Sequence, residues 1–385
     1  MNAKAAAKER LQEAEKRLVE LSHRIHATPE LGFEEERAST WIAEMLDANG
    51  FRVERGICGL PTAFAAHAGS GPLHIGICAE YDSLPSIGHA CGHNIIGASA
   101  VGAAIAASRV ADDIGVKITV LGTPAEEVGN ASGKILMLER GAFAGLHGAM
   151  MVHPYPTDIL ELHIIAASMF DVHYTGKAAH ASAFPELGIN AADALTVAQT
   201  AIGLLRQHIR PSDRVHGITT YAGEAPNVIP ANASARYMVR ADDLQQLEEI
   251  RAKVLRCFEA GALAAGAALR VVGGDKPYAE MHFDADMGAL YKSNAEALGR
   301  RFPAPGAPQS GSASTDMGNV SLAIPSIHPM IGIDSLPAVN HQPEFADHCA
   351  KPAADKAMID ASLAMAWTAI DMASVPAIRE RLLSR

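Results

Sequence analysis

The 385-residue chain predicts an α/β fold, a main domain built on a sheet and interrupted by an inserted ferredoxin-like α+β domain. Three observations carry this. Apolar, β-branched runs at 73–78, 116–121 and 148–152 alternate with helical periodicity. From residue 168 the order becomes strand, helix, strand, strand, helix, strand within about a hundred residues. The length exceeds one ordinary core and suits two domains. The expected division is 1–167 plus 278–385 for the main domain and 168–277 for the insert.

Residues 7–27 place Leu11, Leu18, Leu21 and Ile25 on one helical face, and Pro29 ends that helix. His26 and Glu30 follow, either as supporting groups for a site or as ordinary loop residues. A second amphipathic helix at 35–50 closes on Gly50. Short strands are expected at 51–54, 63–66 and 73–78. The third runs into Glu80-Tyr81-Asp82-Ser83-Leu84-Pro85, and α/β sheets place their ligands just past such strand ends. Next comes Gly88-His89-Ala90-Cys91-Gly92-His93-Asn94. Cys91 and His93 are good transition-metal ligands set one residue apart, and Gly92 lets the backbone turn between them. Taken alone, Cys91 reads as a small buried hydrophobe. An apolar helix at 95–107 follows.

The strand at 116–121 also ends in acid, Glu126-Glu127. Two adjacent carboxylates after a buried strand are costly without a cation, and a metal would supply one. Neighbouring strand residues point opposite ways, so both serve one site only on a turn, which Pro124 and Gly129 favour. The strand at 148–152 ends at His153-Pro154. Four successive stretches thus place metal-binding side chains beyond strand ends.

The insert reads as a strand at 169–174, the stretch Gly176-Lys177-Ala178-Ala179-His180-Ala181, a helix at 190–208, strands at 215–221 and 233–239, a helix at 244–263 and a strand at 269–273. It lacks acidic strand ends. Beyond it come a helix at 284–300, the glycine-serine loop Gly311-Ser312-Ala313-Ser314-Thr315-Asp316, the turn Val339-Asn340-His341-Gln342-Pro343 and a last helix at 352–373. His341 is the favoured late ligand and His348 the less favoured.

Composition narrows the partners. A net charge of -11 argues against nucleic acid, whose phosphates need a basic face. Five cysteines without regular spacing suit a reducing compartment rather than a disulfide framework. Residues 1–20 lack the apolar core of a secretion signal, and the apolar run at 95–107 is too short for a bilayer. The expectation is a soluble cytoplasmic protein without a membrane partner.

Taken in order, EYDSLP, GHACGHN, PAEE, VHP, GKAAHA, GSASTDMGNVS and NHQPEF resemble the two-metal amidohydrolase and exopeptidase family. That family includes aminoacylase, carboxypeptidase G, succinyl-diaminopimelate desuccinylase and the auxin-conjugate hydrolases. GHACGHN is similar to its amidohydrolase branch; EYDSLP and STDMGNVS look most like the aminobenzoyl-glutamate hydrolase and β-alanyl-lysine dipeptidase members. The resemblance runs from about Leu21 to Ala373. It implies a mixed-sheet, phosphorylase/hydrolase-like catalytic domain and a dimerisation or lid insert. It implies two divalent metals, zinc or manganese foremost, nickel or cobalt as alternatives. Cys91, His93, Glu127, His153 and His341 match ligands. Glu126 matches the general base and Asp82 the aspartate that orients a ligand. His180 matches a histidine that crosses from one subunit's insert into the other's site, which implies a homodimer. Asn227 matches a substrate contact, and Arg240 either meets a substrate carboxylate or makes a structural ion pair. One departure stands out: many relatives carry histidine where this chain has Glu80, and Cys91 is expected to take over that ligand's work. The implied activity is metal-dependent hydrolysis of an amide in a small molecule with a free carboxylate: an N-acyl amino acid, an aminobenzoyl-glutamate-like conjugate or a dipeptide. The rivals are a dipeptidase or carboxypeptidase and a non-catalytic metal-binding protein.

Overall fold

The computed structural model describes residues 2–304 and 312–384, so Gly311 of the glycine-serine loop lies outside the described residues. Strands in chain order are β1 Arg52–Arg55, β2 Phe64–Ala68, β3 Leu73–Ala79, β4 Val116–Gly122, β5 Gly148–Met150, β6 His153–Tyr155, β7 Ala166–Thr175, β8 Arg214–Tyr221, β9 Asn232–Ala241, β10 Ala268–Gly273, β11 Ser326–Ile327 and β12 Met330–Gly332. The chain divides into two compact units. The first comprises Met1–Val128, Ser132–His163 and Met281–Arg385; the second comprises Gly129–Ala131 and Ile164–Glu280.

The first unit holds a six-stranded sheet in the order β1-β2-β4-β3-β5-β11. It is mixed: β1, β2 and β4 pair antiparallel, while β4, β3, β5 and β11 pair parallel. Strand β3 is buried along nearly its whole length, as parallel strands covered on both faces must be. Helix His93–Ser108 is likewise buried on all sides until its last residue. Its small side chains permit close packing: a Cβ on Gly97 would lie 3.0 Å from the Glu80 carbonyl oxygen and 2.9 Å from Ile42 Cδ1. The helix is thereby seated against the loop that leaves β3.

The expected strand at 148–152 is interrupted. It stops at Met150, and His153 opens β6, which pairs in parallel with β12 in a separate two-stranded sheet. Short helices at Gly133–Glu139, Met317–Ala323, Pro343–His348 and Pro376–Leu383 add to the expected set. No single described helix is long and apolar enough to cross a membrane. Pro352–Ser374 with Pro376–Leu383 passes that test only as a pair bent by 86°, and the longer member is a core helix with Ala357, Ala361, Met365 and Ala369 buried.

The second unit is a four-stranded antiparallel sheet in the order β10-β7-β9-β8. With helices Ala191–Leu205 and Leu244–Ala265 this is the β-α-β-β-α-β arrangement of a ferredoxin-like domain. Phe170, Val172 and Tyr174 from β7 pack with Ala198, Ile250 and Phe258 from the helices. Residues 129–131 join this unit through Asn130, whose side-chain oxygen accepts from the Gly274 and Lys276 amides.

Candidate metal centre

In the parallel pair β3–β4, Ala79 lies opposite Gly122, so both chains leave the sheet at one level. Glu80, Asp82 and the segment 123–128 therefore emerge side by side, at the strand ends where α/β folds gather ligands. The Thr123 amide donates to the Ala79 carbonyl at 2.8 Å. Ala125 then adopts a left-handed conformation (φ 58°), and Glu126–Val128 form a tight helical turn. Both glutamates thus lie on a turn, the condition for serving one site. The buried Glu35 carboxylate anchors this turn by accepting the Ala125 amide at 2.7 Å. Burial, with the Asp82 charge beside it, raises the Glu35 carboxyl to about 7.

Asp82 organises the donors. One of its oxygens accepts from His93 Nδ1 at 2.9 Å, and the other accepts the Glu127 amide at 2.9 Å. Burial alone would raise this carboxyl, but the His93 ring and the Glu127 amide hold it below its usual range. A carboxylate at Nδ1 assigns the ring proton there and leaves the Nε2 lone pair facing outward. That atom lies 3.5 Å from Glu80 Oε2 and 3.8 Å from Glu127 Oε1.

Cys91 Sγ lies 3.4 Å from His153 Nε2, while His153 Nδ1 sits 2.8 Å from the Pro154 carbonyl oxygen. The carbonyl can only accept, so His153 also directs an Nε2 lone pair inward. His341 has φ 68° and is tied to the cysteine loop by its amide, which donates to the Ala90 carbonyl at 2.8 Å. Its Nε2 is 3.5 Å from Glu127 Oε1, and its side chain stays half-exposed.

Among the described residues four sets of donor atoms each fall within 4.8 Å of one another: Cys91, His93 and His153; Cys91, Glu127 and His341; His93, Glu126 and Glu127; and Glu80, Glu126 and Asp316. Glu80 Oε2, His93 Nε2 and Glu127 Oε1 are buried and have no hydrogen-bond partner among the described residues. Buried polar atoms are rarely left so, and two carboxylate oxygens within 4 Å of one imidazole nitrogen ask for a cation. The Cys91 thiol is pushed well up by burial and by the Glu127 charge, so only a bound cation makes it a thiolate ligand there. Sulfur, imidazole and carboxylate donors in this arrangement fit divalent first-row metals.

Two buried groups at the site, Lys134 and His328, escape sequence reasoning. Lys134, fully buried, donates from Nζ to Glu80 and, at 2.6 Å, to Asp316. His328, just past β11, is buried with both ring nitrogens lacking a hydrogen bond, and its ring lies 5.5 Å from that of His153. Glu126 is buried, and burial followed by the charges of Glu80, Glu127 and Asp316 raises its carboxyl well above the usual range. A lysine, or a histidine after a two-residue strand, carries no local signal of such a place. The lesser candidates settle otherwise. Glu30 caps helix Glu36–Asp47, accepting from the Arg37 and Ala38 amides. His26 stacks on His89 at 6.1 Å, and His348 ends a short helix.

The second unit holds the remaining predicted residues. His180 is exposed, and its Nδ1 accepts from the Ser182 and Ala183 amides at 3.3 and 3.2 Å. The ring proton therefore sits on Nε2, a free donor. Asn227 is adjacent, its carbonyl accepting the Ala181 amide at 3.0 Å. Arg240 does not join them. It pairs with Ala167 on β7, eight residues along β9 from Asn232, about 26 Å at 3.3 Å per residue. Burial lowers its guanidinium below the ordinary value.

Comparison with known proteins places this geometry. A profile of the peptidase dimerisation domain matches residues 166–265. The chain is 38% identical over 395 residues to a Xaa-Arg dipeptidase of Mus musculus, covering 98% of this chain and 90% of that one. It is 35% identical over 397 residues to the Xaa-Arg dipeptidase of Homo sapiens, again covering 98% and 90%. A p-aminobenzoyl-glutamate hydrolase chain of Escherichia coli is 33% identical over 268 residues, covering 64% of this chain and 55% of that one. Among solved structures, a dinuclear metal-binding peptidase of Bacillus subtilis superposes with a TM-score of 0.69 at 21% identity, covering 94% of this chain and 99% of that one.

Proposed function

We propose a mechanism from one premise: the chain belongs to the M20 peptidase family and is a metal-dependent hydrolase of amide or peptide bonds. The observation that carries the mechanism is the convergence of Cys91, His93, Glu127, His153 and His341 on the turn that also carries the buried Glu126, which we assign as the base rather than a ligand. Those five residues would hold two divalent ions, which would supply polarisation of the scissile carbonyl and acidification of a water molecule. Glu126 takes the proton from that water and passes it to the leaving nitrogen. Asp82 keeps His93 and Glu127 oriented throughout. Zinc and manganese are the first metals to test.

The active form is a homodimer. Strand β8 is an edge strand exposed at every residue except Val215. Ile218 is exposed on it, as are Val197 and Leu204 on helix Ala191–Leu205. A long exposed edge with apolar side chains invites pairing, and the same edge of a second copy covers it under two-fold symmetry. In that dimer His180 of one copy offers its Nε2–H to the oxyanion formed in the other, beside Asn227.

The substrate is a small amide with a free carboxylate next to the scissile bond, either a dipeptide or an N-acyl amino acid. Dipeptides ending in arginine come first, in keeping with the name of the 38% identical Xaa-Arg dipeptidase. The test is hydrolysis of such a panel by chelator-stripped enzyme with zinc or manganese restored. Blocking the carboxylate should lower kcat/KM about 10-fold or more, the scale of one lost charge-assisted hydrogen bond. Glu126→Gln should lower turnover at least about 100-fold while metal content holds. Equal cleavage of free and blocked acids replaces this reading with a general amidase.

A further inference from the structure

We propose that Lys134 is a positioning residue and the permanent cation of this centre, and that it withholds Glu80 from the metal ligands. The inference rests on the reading of the centre as a divalent-metal site. Lys134 stands at the start of helix Gly133–Glu139. That start is pressed against the turn carrying Glu126 and Glu127: a Cβ on Gly133 would lie 1.9 Å from the Pro124 carbonyl oxygen. The ammonium is therefore delivered into the acidic cluster by packing. Asp316 holds it there, with one oxygen on Nζ at 2.6 Å and the other accepting Ser132 Oγ at 2.7 Å and the Lys134 amide at 3.0 Å.

Glu80 is the partner left half-engaged. Its Oε1 accepts from Lys134, while its Oε2 is buried, lacks a hydrogen bond and lies 3.5 Å from His93 Nε2. A bare carboxylate so placed would be a strong oxygen donor to any ion held by His93. Paired with an ammonium, it presents far less negative charge. Cation affinity in such sites follows the ligand charge count, so this lysine tempers the affinity and keeps the set at five residues. It also neutralises part of a cluster in which Glu80, Asp82, Glu126, Glu127 and Asp316 are all fully or mostly buried before any ion arrives.

The test is zinc titrated against a chromophoric chelator, using stripped wild type, Lys134→Met and Lys134→Met/Glu80→Gln, with circular dichroism to verify folding. Lys134→Met frees Glu80 and should bind zinc at least about 10-fold tighter, the scale of one gained charge-assisted interaction. The double variant restores the wild-type charge and should return to within about threefold of wild type. Unchanged or weaker binding by folded Lys134→Met overturns the proposal and points to a purely structural pin. Should Lys134→Met not fold, the visible spectrum of cobalt(II)-loaded Glu80→Gln decides. Band positions and intensities equal to wild type support a withheld glutamate; a changed spectrum makes Glu80 a ligand and overturns it. A wild type that takes up neither zinc nor cobalt would refute the metal centre itself, an outcome separate from these.

Discussion

Asp82 offers the sharpest test of how the centre is built, because one carboxylate orients two of the proposed ligands at once. Its two oxygens accept from His93 Nδ1 and from the Glu127 amide, both at 2.9 Å and both buried on the Asp82 side. Asparagine fits the same space but supplies one acceptor and one donor. If its oxygen stays on His93, its NH₂ faces the Glu127 amide, donor against donor. If it turns over, the NH₂ faces His93 Nδ1, which must then accept, and the ring proton moves to Nε2, the atom needed for the metal. Either way one ligand is spoiled. A lost hydrogen bond to a charged group costs about 1.5–3 kcal/mol, and at about 1.36 kcal/mol per tenfold that is roughly 10- to 150-fold. Mutations of groups that orient metal ligands cost about 10- to 100-fold in affinity, the same range. Folded Asp82→Asn should therefore bind zinc about 10- to 100-fold more weakly in a chelator competition. Binding within about threefold of wild type would refute the claim that this carboxylate organises the site.

Cys91→Ala should lose metal by elemental analysis, and thiol oxidants should strip metal from the wild type, since the thiolate that ligates is also the oxidisable form. Mixing inactive Glu126→Ala and His180→Ala subunits should restore about a quarter of wild-type activity, because about half of randomly formed two-fold dimers contain one complete site; verified exchange without activity would place His180 outside the partner's site. Glu35 gives a pH signature in the metal-free protein. Its folded pKa of about 7 lies above the ordinary 4.5, so its contribution is full below 4.5 and is lost as pH rises toward and through 7. Urea titrations between pH 5 and 8 should show this fall shrink by roughly 3 kcal/mol in Glu35→Gln, from about 1.36 kcal/mol per pKa unit, and an unaltered profile would remove Glu35 from the account.

What the sequence revealed, and what it concealed, follows from the range of the interactions involved. Strand β3 announces itself by an apolar run broken only by His74, and helix His93–Ser108 by small apolar residues after Gly92. Both signals are local. The second unit was legible for the same reason, as β7 alternates buried and half-buried residues along its length. The break between β5 and β6 was not, because Met151 and Val152 are as apolar as the strand they end. Only the pairing of β6 with β12, far along the chain, separates them.

The centre shows the same divide in chemical terms. Glu126 and Glu127 were legible because adjacent carboxylates are costly in a core unless they hold something, and Cys91 because His93 stands one residue from it. Lys134 was not, because lysine on a short helix reads as a solvent-facing charge. Its burial makes sense only with Glu80, 54 residues earlier, and Asp316, 182 residues later. Glu35 likewise acquires its role through Ala125, 90 residues away. A ligand motif therefore specifies which atoms can meet a metal, while the groups that set its charge and hold its geometry are placed by long-range packing. At this centre those groups are Asp82, Glu35 and Lys134. Position 80 shows the connection: a buried carboxylate sits there with the Lys134 ammonium buried beside it.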